Sequence, residues 1–360
     1  MVISPPFLNS IIKKMKRNFI MLAIAIFPCL LSAQVSPTAD EEKNMKTLAA
    51  AADTGWSRAG TISVGVTGAY FNQWAAGGIN SVGINGLLNY GANYRDGKNA
   101  WDNTLIVAYG MLNQGFTTSD SWVKTDDRFD FTSKYGRPIK ENLYYAALLN
   151  FNTQFAPGYA PGSNGLPNRD AKISNFLAPA RLLLALGLDY KPKPELSVFF
   201  SPATYRGIYV FDELLAAQGA FGVEKGAVTT LVDGDQITYR IDTAGATARH
   251  EVGAYLRVNY AKKFTENFNL TSKLELFSNY LDKPGNIDLA WETIAAWKLG
   301  KYFSVTTSVN FLYDDNTNVT KSVVEDIDNG DGTTTSTTRT YLSKGLQTRI
   351  VSTLGLTYNF

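Results

Sequence analysis

One cysteine and one histidine are all that this 360-residue chain holds of the most common metal and redox ligands. That scarcity excludes a disulfide framework and argues against a zinc-type centre, whose ligands cluster at short spacings. Charge is thin as well, at 18% of residues, and nearly balanced at a formal +2. Nor does any apolar run reach the about 20 residues that a membrane-crossing helix needs. What the chain has in quantity is aromatic: 19 Tyr, 20 Phe and 6 Trp.

The head reads as an address. Met15-Lys16-Arg17-Asn18 is a basic start, Phe19 to Leu31 an apolar core, and Leu31-Ser32-Ala33 a small-residue cleavage site. Residues 1–33 are therefore expected to be a secretory signal peptide rather than a retained anchor. Cys29 follows Pro28 instead of a small residue, so lipidation is not expected and the cysteine leaves with the leader. The leader carries Lys13, Lys14, Lys16 and Arg17. The 34 basic residues less those four leave 30 against 32 acidic ones, which removes the electrostatic case for nucleic-acid binding.

Residues 34–55 are polar and Ala-rich, and "ADEEKNMKTLAAAAD" has the composition of a short helix. They are read as a solvated periplasmic lead-in rather than a plug. From Thr61 onward the apolar period is two, not 3.6. In "NFNLTSKLELFSNYL", Phe268, Leu270, Leu274, Leu276 and Tyr280 share a face opposite Asn269, Thr271, Lys273, Glu275, Phe277 and Asn279. "HEVGAYLRVNY" and "NIDLAWETIAAWKL" divide in the same way. Strands are expected near 61–71, 79–94, 99–114, 126–135, 140–155, 174–190, 195–209, 249–262, 265–281, 286–299, 302–313 and 346–360. Several exceed the about 5–6 residues of ordinary soluble strands and suit a tilted crossing of a bilayer.

The connections alternate. "YRDGKN", "YGRPIK", "YKPKPE", "AKKFTEN" and "LGKY" are short and carry turn residues, while 113–126, 156–173, 210–248 and 314–345 are long and polar. The expected fold is thus all-β: a closed antiparallel transmembrane β-barrel of about twelve strands over 56–360, with short periplasmic turns and longer extracellular loops. "VSTLGLTYNF" fits that closure, because an open sheet edge leaves backbone groups unpaired in hydrocarbon. Its terminal Phe360 is also the kind of residue that the barrel-assembly machinery of Gram-negative outer membranes reads. The rival fold is a soluble β-sandwich.

Residues 55–115 carry Gly55-Trp56, then Asn72-Gln73-Trp74-Ala75-Ala76-Gly77-Gly78, then Trp101-Asp102-Asn103. In these pieces the chain resembles an uncharacterised Bacteroidota family, domain of unknown function 3078. The resemblance implies an outer-membrane protein and supplies no functional residues. Arg58-Ala59-Gly60 departs from the second glycine expected near the opening.

Four features compete for a chemical role. Trp74 beside Gly77-Gly78 is a candidate surface contact for a sugar or headgroup, though an interfacial indole over a glycine turn explains it more simply. His250 lacks a G-x-S-x-G partner context, and Glu251 alternates to the other face, so a rim histidine without a catalytic task is expected. Asp326, Asp328 and Asp331 could offer oxygens to Ca²⁺, but the sixth position of an EF-hand loop falls on Asp331 instead of Gly. A solvated loop is favoured there. The candidate lumen-lining set is Arg181, Glu251, Arg257, Lys273, Glu275, Asp288, Glu292, Lys298 and Arg349, with Tyr144, Tyr255, Phe277 and Tyr302 on the same face. Its mixed signs imply no strong ion selectivity, and leave open pairing across the lumen.

The sequence thus leads to an outer-membrane channel or uptake barrel for a small solute or lipid-like molecule. A structural or adhesive barrel acting through its extracellular loops is the alternative, and an outer-membrane hydrolase ranks below both. No catalytic residue, metal or cofactor is assigned. The expected partners are outer-membrane lipids, the assembly machinery and a small-molecule cargo.

Overall fold

The structure, a computed structural model, describes residues 54–70, 80–115, 122–161, 167–233, 236–300, 303–316, 319–328 and 334–359. The expected leader, the 34–53 part of the lead-in, Trp74 and Tyr302 lie outside these residues.

Twelve strands close into one antiparallel barrel. In chain order they are β1 (Gly55–Ala69), β2 (Ser81–Arg95), β3 (Ala100–Gln114), β4 (Trp122–Lys140) and β5 (Leu143–Thr153), then β8 (Ala180–Lys193) and β9 (Leu196–Tyr209). The circuit continues with β12 (Ala248–Lys263), β13 (Phe268–Asn279), β14 (Ile287–Lys298), β15 (Phe303–Tyr313) and β18 (Gln347–Asn359). The remaining strands form hairpins in the long connections: β6 (Gly158–Pro161) with β7 (Pro167–Ser174), β10 (Ala227–Asp233) with β11 (Gln236–Thr243), and β16 (Val319–Asp328) with β17 (Thr334–Ser343). A short helix, α1 (Glu213–Ala217), precedes the β10–β11 hairpin.

Each barrel strand matches one strand expected from the alternation, with three revisions, the first being that β8 begins at Ala180, six residues after the expected 174. β1 opens at Gly55, earlier than Thr61, and β4 is the longest strand at 19 residues instead of a short one over 126–135. The segments 156–173, 210–248 and 314–345 are not plain loops, since each carries a hairpin. Their alternating Thr, Val and Tyr residues, as in 319–343, allow a ladder to propagate outside the barrel.

The ring closes where β1 meets β18, registered from Thr61↔Asn359 to Val64↔Leu356. This seam satisfies backbone groups that an open sheet would leave unpaired. All the short turns, together with Gly55 and Asn359, lie at one end of the barrel, and the long connections lie at the other.

The barrel is inside-out relative to a soluble domain. On β1 the polar Thr61 and Ser63 are 3% and 4% exposed, while Ile62 and Val64 between them are 48% and 52% exposed. The same inversion repeats on β8, where Leu184, Leu186 and Leu188 face outward around buried Ala185 and Asp189. A continuous apolar exterior of this extent is unfavourable against water and natural against hydrocarbon. Aromatic side chains gather near both ends of this band. Trp56 packs on Tyr94 and Trp101 at the short-turn end, with ring centroids 5.4 and 5.6 Å apart. Tyr209 stacks on Phe211 at the long-loop end. Amphipathic rings at the two rims are the pattern of a membrane-type barrel.

Candidate functional site

The inward-facing side chains fill the lumen unevenly. Against the wall from β5 to β13, Ala146, Leu148, Ala185, Phe199, Tyr255 and Phe277 form a buried apolar cluster. Charged groups occupy the rest, arranged in three levels along the axis.

At mid-height, Arg257 Nη2 donates to Glu275 Oε1 at 2.6 Å, and Arg257 Nε donates to Tyr255 Oη at 2.7 Å. Tyr255 in turn donates to the same carboxylate. Lys273 lies between Glu275 at 3.6 Å and Glu292 at 3.8 Å. The chain of charges then crosses the lumen: Arg128 on β4 sits 3.7 Å from Glu292 on β14 and 2.9 Å from Asp130. β4 and β14 are six places apart in the twelve-strand ring, so they stand diametrically opposite. The pairing across the lumen that the sequence left open is therefore present.

At the long-loop end, Arg206 bonds both Glu251 and Asp288 and lies over the Phe277 ring, 4.0 Å from its centroid. Arg249 reaches Glu251 at 3.4 Å and Asp314 at 3.7 Å. Arg349 reaches Asp126 at 3.8 Å. Arg181 faces inward over the Phe221 ring instead of meeting a carboxylate. Three arginines, Arg206, Arg249 and Arg349, thus meet four acids, Asp126, Glu251, Asp288 and Asp314, while Arg181 lies over a ring.

Both large connections fold onto this level. Asp212 caps α1 by accepting from the Leu215 N–H at 3.1 Å. Leu215 and Ala216 then bury against Ala178, Val210 and Val223 in a second apolar cluster. From the other connection, the Asp315 N–H donates to Asp288 Oδ1 at 2.9 Å and Asn316 Nδ2 donates to Glu251 Oε1 at 3.3 Å. The Gly222 carbonyl accepts from Arg249 Nη1 at 3.4 Å. Gly222 has φ +78°, and a Cβ there would lie 2.1 Å from Arg249 Nη1 and 3.1 Å from the Asn316 carbonyl oxygen, so glycine is required where the two connections meet.

Two of the carboxylates in these connections, Asp212 and Asp315, are held down by a lysine. Burial raises the Asp212 carboxyl, but bonds from Lys172 and Asn175 outweigh it and hold the group below the ordinary aspartate range. The Lys344 ammonium, 2.7 Å away, likewise holds Asp315 down.

Toward the short-turn end the lumen widens into a chamber of about 650 Å³ that reaches the turn residues Lys191 to Glu195. Seven cations line it, Arg95, Arg128, Lys134, Lys191, Lys193, Arg257 and Lys273, against four acids, Asp102, Asp130, Glu195 and Glu292. Two further acids adjoin this lining. Asp189, 1% exposed, accepts from Lys134 at 2.7 Å and Ser197 at 2.6 Å and also faces Lys191. Glu275 serves Arg257 and Lys273. Asn89, 1% exposed, and Thr271 also line the chamber, and neither the Asn89 amide oxygen and nitrogen nor the Thr271 hydroxyl has a protein partner.

Of the residues singled out by alternation, Arg257, Lys273, Glu275 and Glu292 share the mid-height band, and Arg181, Glu251, Asp288 and Arg349 share the long-loop level. Lys298, on the inward face opposite Ser304, stands apart near the short-turn rim. Tyr144 faces inward as well, with Lys191 Nζ 5.1 Å from its ring centroid. His250 faces outward, its Nδ1 2.7 Å from Tyr205 Oη, among the rim aromatics. Asp331 lies outside the described residues.

Sequence reasoning passed over Arg95, Asp102, Arg128, Asp130, Lys134, Asp189, Arg206 and Arg249. The signal was present on β4, where Asp126, Arg128, Asp130, Thr132 and Lys134 alternate with Phe129, Phe131, Ser133 and Tyr135.

Comparison with known proteins agrees with this picture only in part. A family model described as "Protein of unknown function (DUF3078)" matches residues 66–159. The match takes in Asn72–Gly78 and Trp101–Asn103, leaves out Gly55-Trp56, and runs well beyond residue 115. No curated protein matches the chain. Among solved structures, the translocator domain of the autotransporter NalP from Neisseria meningitidis is 9% identical, with 89% of this chain and 94% of that chain covered at a TM-score of 0.35. An outer membrane channel from Pseudomonas putida F1 is 12% identical, with 91% and 100% covered at 0.36. The CymD monoaromatic hydrocarbon channel is 10% identical, with 91% and 94% covered at 0.35. Likenesses this distant do not bear on what this chain binds.

Proposed function

We propose that this protein is an outer-membrane barrel of the Bacteroidota that serves as a gated conduit for small polar solutes. The exterior band and its aromatic rims support the membrane setting, with the short turns periplasmic and the long connections outside. The observation that carries the conduit reading is the partition of the lumen. A polar chamber extends from the short-turn end, and above it Arg128 and Glu292 meet between opposite strands. Ion pairs form such a barrier well, because each partner is held by the other and a modest rearrangement separates them.

The direct test is planar-bilayer conductance. The wild-type barrel is expected to stay closed or flicker rarely. A double substitution, Arg128→Ala with Glu292→Ala, removes both sides of the bridge together and is expected to give a steady, measurable conductance. A silent double variant that is folded and inserted would defeat the conduit reading.

A second reading has an observation of its own. The β6–β7, β10–β11 and β16–β17 hairpins add three two-stranded sheets to the long-loop end. Those sheets favour an adhesive or structural role exercised at the cell surface. Deleting 319–343 would then reduce surface binding or envelope integrity without altering conductance. Neither reading uses a reaction, and His250, outward among tyrosines, is not assigned one.

A further inference from the structure

A conduit needs only a wet passage, whereas the short-turn chamber has features of a binding site. Its volume of about 650 Å³ lies within the range of small-molecule pockets. Its lining is cationic, seven to four, with Asp189 withdrawn behind Lys134 and Lys191 and Glu275 outside the lining beside Arg257 and Lys273. With those two acids counted, seven cations face six acids, so the excess is slight in total but concentrated at the surface a solute would meet. Lys193 at the rim has no ion-pair partner among the described residues.

The uncharged part of the lining is the second observation. A buried polar group without a hydrogen bond carries an uncompensated desolvation cost. Asn89 carries such a cost at both amide atoms while 1% exposed, and Thr271 carries one at its hydroxyl on the far side of the ring. These groups call for a ligand bearing donors and acceptors together, and the lysines call for a negative charge.

We propose that the chamber binds a compact polyhydroxylated monoanion, a solute of the sugar-acid class. The carboxylate lies toward Lys193 and Lys134, and the hydroxyls engage Asn89 and Thr271. This inference rests on the conduit reading for its biological sense, yet binding can be measured without transport.

The test is equilibrium dialysis of the full mature barrel in nanodiscs with D-glucuronate, D-glucose and acetate as separate probes. Glucuronate is expected to bind saturably. Glucose lacks the charge and acetate lacks the hydroxyls, so each is expected to bind at least about tenfold more weakly, which corresponds to about 1.4 kcal/mol. Thr271→Val and Asn89→Ala each weaken glucuronate binding several-fold. Lys193→Gln weakens glucuronate but leaves glucose unchanged. Heat-modifiable gel mobility establishes that each variant is folded, and Asn89→Ser, which retains a small polar group, replaces Asn89→Ala should the latter fail that check. No saturable binding, equal binding of glucuronate and glucose, or binding indifferent to all these substitutions would overturn the site. Saturable binding by the wild type without flux through the Arg128→Ala, Glu292→Ala barrel in proteoliposomes would sink the conduit reading and leave the site standing. Flux without anion preference would do the reverse.

Discussion

The two ends of the lumen are built from the same inward alternation but to different purposes. At the long-loop end three arginines meet four acids, the Asp315 N–H and the Asn316 amide of one connection donate to Asp288 and Glu251, and the Gly222 carbonyl of another accepts from Arg249. The arginines there are held by carboxylates or a ring, and backbone from two connections folds onto them. At the short-turn end the acids recede, cations come forward, and Asn89 and Thr271 stay unpartnered. The difference shows that lumen polarity alone does not distinguish a brace from a site. What distinguishes them is whether the polar groups satisfy one another.

The largest expected effect comes from breaking the band between the two ends. Glu275 neutralises Arg257, lies beside Lys273 and accepts from Tyr255. Glu275→Ala leaves a guanidinium without its counter-charge against the apolar cluster, a loss of about 3–5 kcal/mol for partners of this kind. Urea unfolding in vesicles, followed by tryptophan fluorescence, is expected to shift to markedly lower denaturant. An unchanged midpoint would mean that water in the lumen already compensates Arg257.

A smaller change sharpens the contrast at the mouth. Gly222→Ala places a methyl against Arg249 at a backbone conformation that costs a non-glycine residue about 1–3 kcal/mol. The 210–247 connection is expected to lift, so that limited proteolysis from the long-loop side cuts it faster while ligand binding in the chamber persists.

Acid gives the mildest perturbation. Asp212 and Asp315 are both held below ordinary aspartate values in the folded state. Their contribution is therefore complete above the unfolded value near 3.9 and is lost as pH falls through the lower folded values. Proteolytic sensitivity of the long connections is expected to be flat from neutral pH down to about 4 and to rise below it. Asp212→Asn should show the elevated sensitivity at all pH values.

Much of this architecture was legible in residue order. Period-two alternation located every barrel strand and placed Glu251, Arg257, Lys273 and Glu275 on the inward face, because strand geometry sends alternate side chains to opposite sides. Partner identity was not legible. Arg128 meets Glu292 only because a twelve-strand ring places β4 opposite β14, a fact that belongs to closure rather than to either strand. The hairpin of β16 and β17 had its signal in Asn-Gly and Asp-Gly within 329–332, flanked by β-formers, but polarity made the whole segment look like solvated loop. Nothing in residue order sets Asn89 apart from the other amides of its strand. That it lacks a partner emerges only from packing.

Thiol accessibility tests the divided lumen most directly. Cys29 is the chain's single cysteine and lies in the expected leader, so introducing Asn259→Cys into the mature barrel puts one reporter in the chamber. A membrane-impermeant maleimide is then applied to oriented proteoliposomes from one side at a time. Modification from the short-turn side alone is the predicted result. Equal modification from the long-loop side would contradict the account.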